Sequence, residues 1–219
     1  DDAYAKAVEN ASFKHKLKKK PVLKEKHLVD AIMPHLTGFF SDDSLTDNQK
    51  RIVEIHEAGH AYLGLVLGLP VQVVTDHRSI GSGMLSHGLT ISIMPDDKLT
   101  TIEDFQKRLI TCYGGMVAEK LCGFVENTGM RGDMENINKI SHSLVNRLAQ
   151  GKKLRAKYGS LLLEDKNSYS AEVLRLRDRD VASIIKHAES EAIKIAKDGL
   201  SKIKKIADRL HQKKIIFQR

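Results

Sequence analysis

Residues 53–64 read VEIHEAGHAYLG, and their reading decides how the rest of the chain is understood. His56, Glu57 and His60 stand at positions i, i+1 and i+4, the HExxH pattern, here HEAGH. Residues four apart share one face of a helix, so two imidazoles can bind one metal ion while the Glu between them takes a proton from water. The pattern also arises by chance, and here its surroundings raise it above chance. Thr46 followed by Gln49 forms a capping-box start, Ile52, Val53, Ile55, Tyr62, Leu63, Leu65 and Val66 make the segment apolar, and Gly68 and Pro70 end it. A buried helix over residues 47–67 is expected, with Gly59 leaving room for close approach beside the site. The competing reading, two surface histidines and a solvated Glu, would set three polar groups without partners in a mostly apolar helix.

A catalytic zinc normally takes three protein ligands and keeps a fourth position open, so one ligand must come from elsewhere. His77, His87, Glu119, Asp133 and His142 are the candidates by residue type. Residues 61–67 read AYLGLVL, which excludes the extended HExxHxxGxxH form. A Glu on a later helix, such as Glu119, and an Asp at a helix start serve equally well.

Outward from this helix, residues 71–75 and 89–94 read as two strands of a small sheet around a Gly/Ser/His loop at 81–88. Helical periodicity returns over 102–121, again from 127–132 to about residue 148, and over 181–210. The last segment is expected to break at Asp198 and Gly199, with Ser201 capping a second helix, so that the C-terminal part forms a helical hairpin. Before residue 37 the pattern predicts two short helices joined at Pro21, with a basic run at 14–20, and 41–47 reads as a polar linker.

Three segments, HEAGHAYLG (56–64), GGMVAEKL (114–121) and NTGMRGDM (127–134), together resemble the peptidase domain of the FtsH family of ATP-dependent zinc metalloproteases, in order and in separation. The resemblance implies a mainly α fold: a helical zincin-like metallopeptidase domain with a small β-sheet beside the active-site helix. It implies Zn²⁺ held by His56, His60 and Asp133, with Glu57 as the catalytic base and then acid. Glu119 becomes a supporting residue near the zinc histidines, a plain helix-surface role being the alternative. Residues Leu89, Thr90, Ile91, Ser92 and Ile93 resemble the family's edge strand beside the cleft, where an extended substrate pairs by its backbone. Their alternation suits a half-buried core strand equally well.

The same resemblance implies a division into 1–40, the end of an AAA+ lid and linker, and 41–219, the peptidase. No GxxxxGK[ST] loop occurs, so any ATP is used by a module upstream of Asp1, and the chain reads as a piece excised from something larger. The family implies unfolded or membrane proteins as substrates, a homo-hexamer, and an anchor in a bacterial inner membrane or an organelle membrane, this piece being soluble. The sequence departs from the family in Asn127, where Thr is usual, in Met130 for Ala and in Met134 for Leu. Residues 149–158 are also more basic than the family's counterpart. All of these leave the ligands intact.

Composition sets the remaining bounds. With 41% hydrophobic and 29% charged residues, 15 Gly and 4 Pro, the 219-residue chain has the makings of a globular core and is not low-complexity. Cys112 and Cys122 are the only cysteines, which excludes a disulfide framework, and they lack the CxxC spacing of a zinc site. The longest apolar run, 61–74, contains two glycines and a proline and falls short of the roughly 18–20 residues of a membrane span. A net charge of +8 admits a basic nucleic-acid-binding protein as a rival reading, but no aromatics interleave the basic run, and HEAGH stays unexplained. No specific nucleic acid is expected. A zinc-binding module that has lost activity is the other rival, and the retained Glu57 argues against it.

Overall fold

The computed structural model describes residues 39–40, 45–76, 79–81, 84–86, 88–92, 99–125, 127–163 and 169–217. The expected helices before residue 37 lie outside these, as do the linker residues up to 44, and His77, His87 and Ile93. In chain order the elements are β1 (Phe39–Phe40), α1 (Asp47–Val66), β2 (Val71–Thr75), β3 (Ser79–Gly81), β4 (Met84–Ser86) and β5 (Leu89–Ser92), followed by α2 (Ile102–Cys112) and α3 (Gly114–Leu121). A 3-10 turn (Thr128–Met130), α4 (Arg131–Asn146), α5 (Lys152–Tyr158), α6 (Ala171–Lys213) and β6 (Ile215–Phe217) complete it.

Two compact units emerge, one of residues 1–44 with 77–87 and one of 45–76 with 88–219. The first holds a three-stranded antiparallel sheet in the order β1-β3-β4, with Ser79 opposite Ser86 and Ile80 opposite Leu85. Part of the stretch expected as a loop at 81–88 is therefore strand.

The second unit is mainly helical and is built around α1. Thr46 accepts from the Gln49 N–H at 3.3 Å while Gln49 Oε1 accepts from the Thr46 N–H at 2.9 Å, the reciprocal cap expected. The helix ends where Gly68 takes φ +73°, with the Leu69 N–H donating to the Gly64 carbonyl at 2.8 Å. Ile55, Ala58 and Leu63 of α1 enter a core with Leu109, Tyr113, Val117, Ala118, Ile137 and Leu144. Ala188, Ala192, Ala196, Ile203 and Ala207 close that core from α6, a stripe whose four- and seven-residue spacing keeps these mostly small side chains on one face.

Here the structure corrects the expected C-terminal hairpin. The α6 helix runs unbroken for 43 residues, about 65 Å at the usual rise. A Cβ on Gly199 would lie 2.0 Å from the Tyr62 ring, so this glycine serves a close contact with α1 and does not stop the helix. Ser201 is an exposed residue inside α6 and caps nothing. The single helical stretch expected over 102–121 is instead two helices that meet at Tyr113. That break lets α3 approach α1 closely, since a Cβ on Gly59 would fall 2.2 Å from the Gly114 carbonyl oxygen.

Beside α1 lies an antiparallel sheet in the order β5-β2-β6. Val74 pairs with Thr90 and Thr75 with Leu89, with an irregularity between Val71 and Val73. On the other side β6 follows α6 through Lys214 (φ +63°) and sets Ile216 opposite Val74. Among the described strands β5 pairs with β2 alone, which leaves it an edge strand.

Candidate metal centre

His56 and His60 leave the same face of α1 one turn apart, their ring centroids 4.7 Å from each other. The third participant comes from α4, where Asp133 lies in the first turn. Asp133 Oδ2 is 3.0 Å from His56 Nε2 and 3.2 Å from His60 Nε2, and the two Nε2 atoms are themselves 3.0 Å apart. Ligand atoms of these three residues all lie within 4.8 Å of one another. His142 is exposed on α4 and takes no part in this group.

The opposite edge of each imidazole is tied down. His60 Nδ1–H donates to the Thr111 carbonyl at 2.8 Å, and a carbonyl accepts only, so the proton of the neutral ring sits on Nδ1. His56 Nδ1–H donates to Glu119 Oε1 at 2.5 Å with the same consequence. Both Nε2 lone pairs therefore point, with a carboxylate oxygen, at a single place. Three electron-pair donors this close repel one another unless a cation or a proton lies among them, and nitrogen, nitrogen and carboxylate oxygen form a donor set that suits zinc. Those residues fit the metal.

Glycines make the approach possible. A Cβ on Gly115 would sit 2.4 Å from the His56 ring, so the ring packs directly against the start of α3. Glu119, four residues on and nearly buried, takes its second hydrogen bond from Asn127 Nδ2 at 2.7 Å. Asn127 Oδ1 in turn accepts from the Gly129 N–H at 2.8 Å and caps the 3-10 turn that delivers Asp133. One side chain thus joins the carboxylate behind His56 to the turn in front of Asp133.

Charge follows geometry. Burial works against protonation of His56, but hydrogen bonds to Asp133 and Glu119 outweigh it and push the ring up to about 10. His60 is raised as well, burial being overcome by the Asp133 charge. Burial would raise Asp133, yet the two histidines hold its carboxyl far below the ordinary carboxylate range. Without metal, then, a proton occupies the place where the donors meet. Glu57 is buried, and desolvation raises it above the ordinary glutamate value despite the neighbouring imidazoles.

Glu57 faces β5. Thr90 Oγ1–H donates to Glu57 Oε2 at 2.7 Å and lies 3.2 Å from the Glu57 carbonyl oxygen. Leu89 to Ser92 form β5 as expected, and Ile93 lies outside the described residues. Cys112 and Cys122 are free thiols against the core, with Cys112 pushed up to about 12 by burial. Sequence reasoning missed the Thr111 carbonyl, Asn127 and Gly88. A backbone acceptor leaves no sequence signal, whereas Asn127 was visible as a departure from the family's threonine.

The profile of Peptidase family M41 matches residues 43–219. An "ATP-dependent zinc metalloprotease FtsH" of Caldicellulosiruptor bescii is 29% identical over 178 residues, covering 77% of this chain and 29% of the relative. Proteins of the same name from Chloroflexus aggregans and Chlorobium luteolum are 31% and 27% identical, covering 69% and 97% of the chain. The chain spans 25% to 31% of the length of these three relatives. With the family profile running through α1, the sheet and the helix that carries Asp133, the chain belongs to peptidase family M41.

Proposed function

We propose that residues 41–219 are a zinc-dependent endopeptidase domain, with His56, His60 and Asp133 as the metal ligands and Glu57 as the proton-transfer group. The observation that carries this reading is the convergence of three lone-pair donors on one place, each imidazole fixed from behind, with a buried carboxylate next in sequence to the first ligand. Zinc held there supplies Lewis acidity, polarising a carbonyl oxygen and making water acidic enough to lose a proton near neutral pH.

The chain's own groups do the rest. Glu57, raised by desolvation, is a stronger base than a solvated glutamate and accepts a proton from the attacking water. The same carboxyl then returns the proton to the leaving amine, so one residue serves both steps. Glu119 and the Thr111 carbonyl hold the imidazoles so that both Nε2 atoms face the place where a metal would be held. An extended substrate adds to the edge of β5 by backbone pairing, which reads little side-chain sequence.

The relatives are named ATP-dependent and are more than three times as long as the matched segment, and this supports placing the domain in a larger protease. In that protein residues 1–40 are the end of an AAA+ lid, ATP acts on an upstream module, and six copies assemble at a membrane to degrade unfolded or membrane proteins. Among the described residues no helix is long and apolar enough to cross a membrane.

Casein cleavage by the zinc-loaded chain tests the activity. Wild type is expected to cleave, while Glu57→Gln and chelator-treated wild type do not. Cleavage that survives chelation would sink the proposal.

A further inference from the structure

Glu57 could act through either carboxylate oxygen, and its neighbours make the two unequal. Oε2 accepts from the Thr90 hydroxyl at 2.7 Å, a charge-assisted bond by its length and its acceptor. Oε1 lies beside the backbone of Gly88, where a Cβ would come within 2.7 Å of Oε1 and of Glu57 Cγ and within 2.8 Å of Val53 Cγ1. The carboxylate therefore rests in a seat made by the start of β5: a donor on one side and, on the other, the space left by a missing side chain. The seat is itself fixed, because Thr90 pairs with Val74 in the ladder and Val74 is buried in the core.

We propose that Thr90 is a positioning residue for Glu57, holding Oε2 so that Oε1 is the oxygen that exchanges the proton, with Gly88 keeping the room this orientation needs. A buried carboxylate free to rotate about its terminal torsion spends only part of its time in reach of the reacting water. A hydroxyl donor from a paired strand removes that freedom without contributing a charge or a metal ligand. Since Thr90 belongs to the strand on which an extended substrate is proposed to lie, the group that moves the proton and the surface that holds the peptide share one rigid element. The hydroxyl of Thr90 bonds to Glu57 and is not among the clustered donors His56, His60 and Asp133, so its loss acts on turnover and not on metal retention.

The inference rests on the proposed peptidase reading, and one series of zinc-loaded chains separates the two. Wild type, Glu57→Gln, Thr90→Val, Thr90→Ser and Gly88→Ala are compared for zinc per chain, thermal midpoint, and kcat and KM on fluorescein-labelled casein. Thr90→Val keeps the shape and removes the donor; it is expected to lower kcat about tenfold or more, the worth of one hydrogen bond to a charged group, with KM changed less than about twofold. Zinc content stays at the wild-type level. Thr90→Ser, which restores the donor, should recover kcat to within about threefold of wild type. Gly88→Ala should lower kcat as Thr90→Val does, by displacing the carboxylate.

Full activity in Thr90→Val overturns the proposal, and so does a Thr90→Ser variant no better than Thr90→Val. If Thr90→Val does not fold, Thr90→Ser against Gly88→Ala decides: a normal kcat in Gly88→Ala rejects the seat. A wild type that binds zinc yet cleaves no casein is a failure of the peptidase reading, recognisable because Glu57→Gln then differs from it in nothing.

Discussion

The α1 helix carries two buried charged clusters, and they are wired in opposite ways. At its first turns Glu54, fully buried, is met by Arg51 Nη1 at 3.2 Å, by His211 Nδ1 at 2.7 Å and by Lys214 Nζ at 3.7 Å. Arg51 also reaches Asp208, and Lys214 reaches Asp76 at 2.9 Å. Every carboxylate here meets a Lys or Arg, and the cluster ties α1 to the end of α6 and to the residue after β2. From two residues further on, His56, His60 and Asp133 converge with no Lys or Arg among them, so that without metal only a proton stands between the donors. A buried anion that has its cations is structural; a buried set of donors held together by a proton alone is a candidate metal site.

The sharpest way to break this comparison is to exchange charge for amide in each cluster. Glu57→Gln should retain zinc and lose casein cleavage by about 10²- to 10⁴-fold, the usual worth of a general acid–base group. Glu54→Gln should do the reverse. Its partners are half-exposed and can return to water, so unfolding free energy should fall by about 2–3 kcal/mol in a urea titration, while zinc per folded chain and kcat stay near wild type. A zinc loss in Glu54→Gln as large as its loss of stability would erase the distinction.

Asn127→Ala probes the support behind the ligands. It removes a donor from Glu119 and the cap of the turn before Asp133, and zinc affinity measured by competition with a chromophoric chelator should fall about tenfold. An unchanged affinity would leave Asn127 as a turn cap only.

The smallest effect concerns protons. In the metal-free protein His56 is raised from its ordinary 6.5 to about 10, so its contribution to stability is complete below 6.5 and is lost as pH rises towards 10. Asp133 is lowered, so its contribution is present above the ordinary carboxylate value of 3.8 and is lost as pH falls below it. The thermal midpoint of the metal-free chain should therefore be highest between about pH 4 and 6.5, and zinc binding should release protons, visible as buffer-dependent heats in calorimetry at pH 7. Buffer-independent heats would contradict the shared proton.

What could be read in the sequence divides along similar lines. The helix α1, its capping box and its glycine stop are local, encoded within a few residues of where they act, and so were the two ligands on one of its faces. Asp133 was one of five candidates by residue type and was singled out only through the resemblance, because 73 residues separate it from His60. The supposed break at Gly199 was misread because glycine serves two purposes, and only packing against Tyr62 shows which applies. Strands β3, β4 and β6 are three residues long, too short for periodicity to reveal. The role of Thr90 was out of reach for another reason: its alternating strand pattern reports burial and is silent about which carboxylate the hydroxyl meets.

Zinc content of purified wild type, Asp133→Ala and Glu54→Gln, measured side by side by mass spectrometry, tests the central claim most directly. The account predicts about one zinc per chain in wild type and in Glu54→Gln and much less in Asp133→Ala. Equal zinc in all three proteins, or none in wild type, would contradict it.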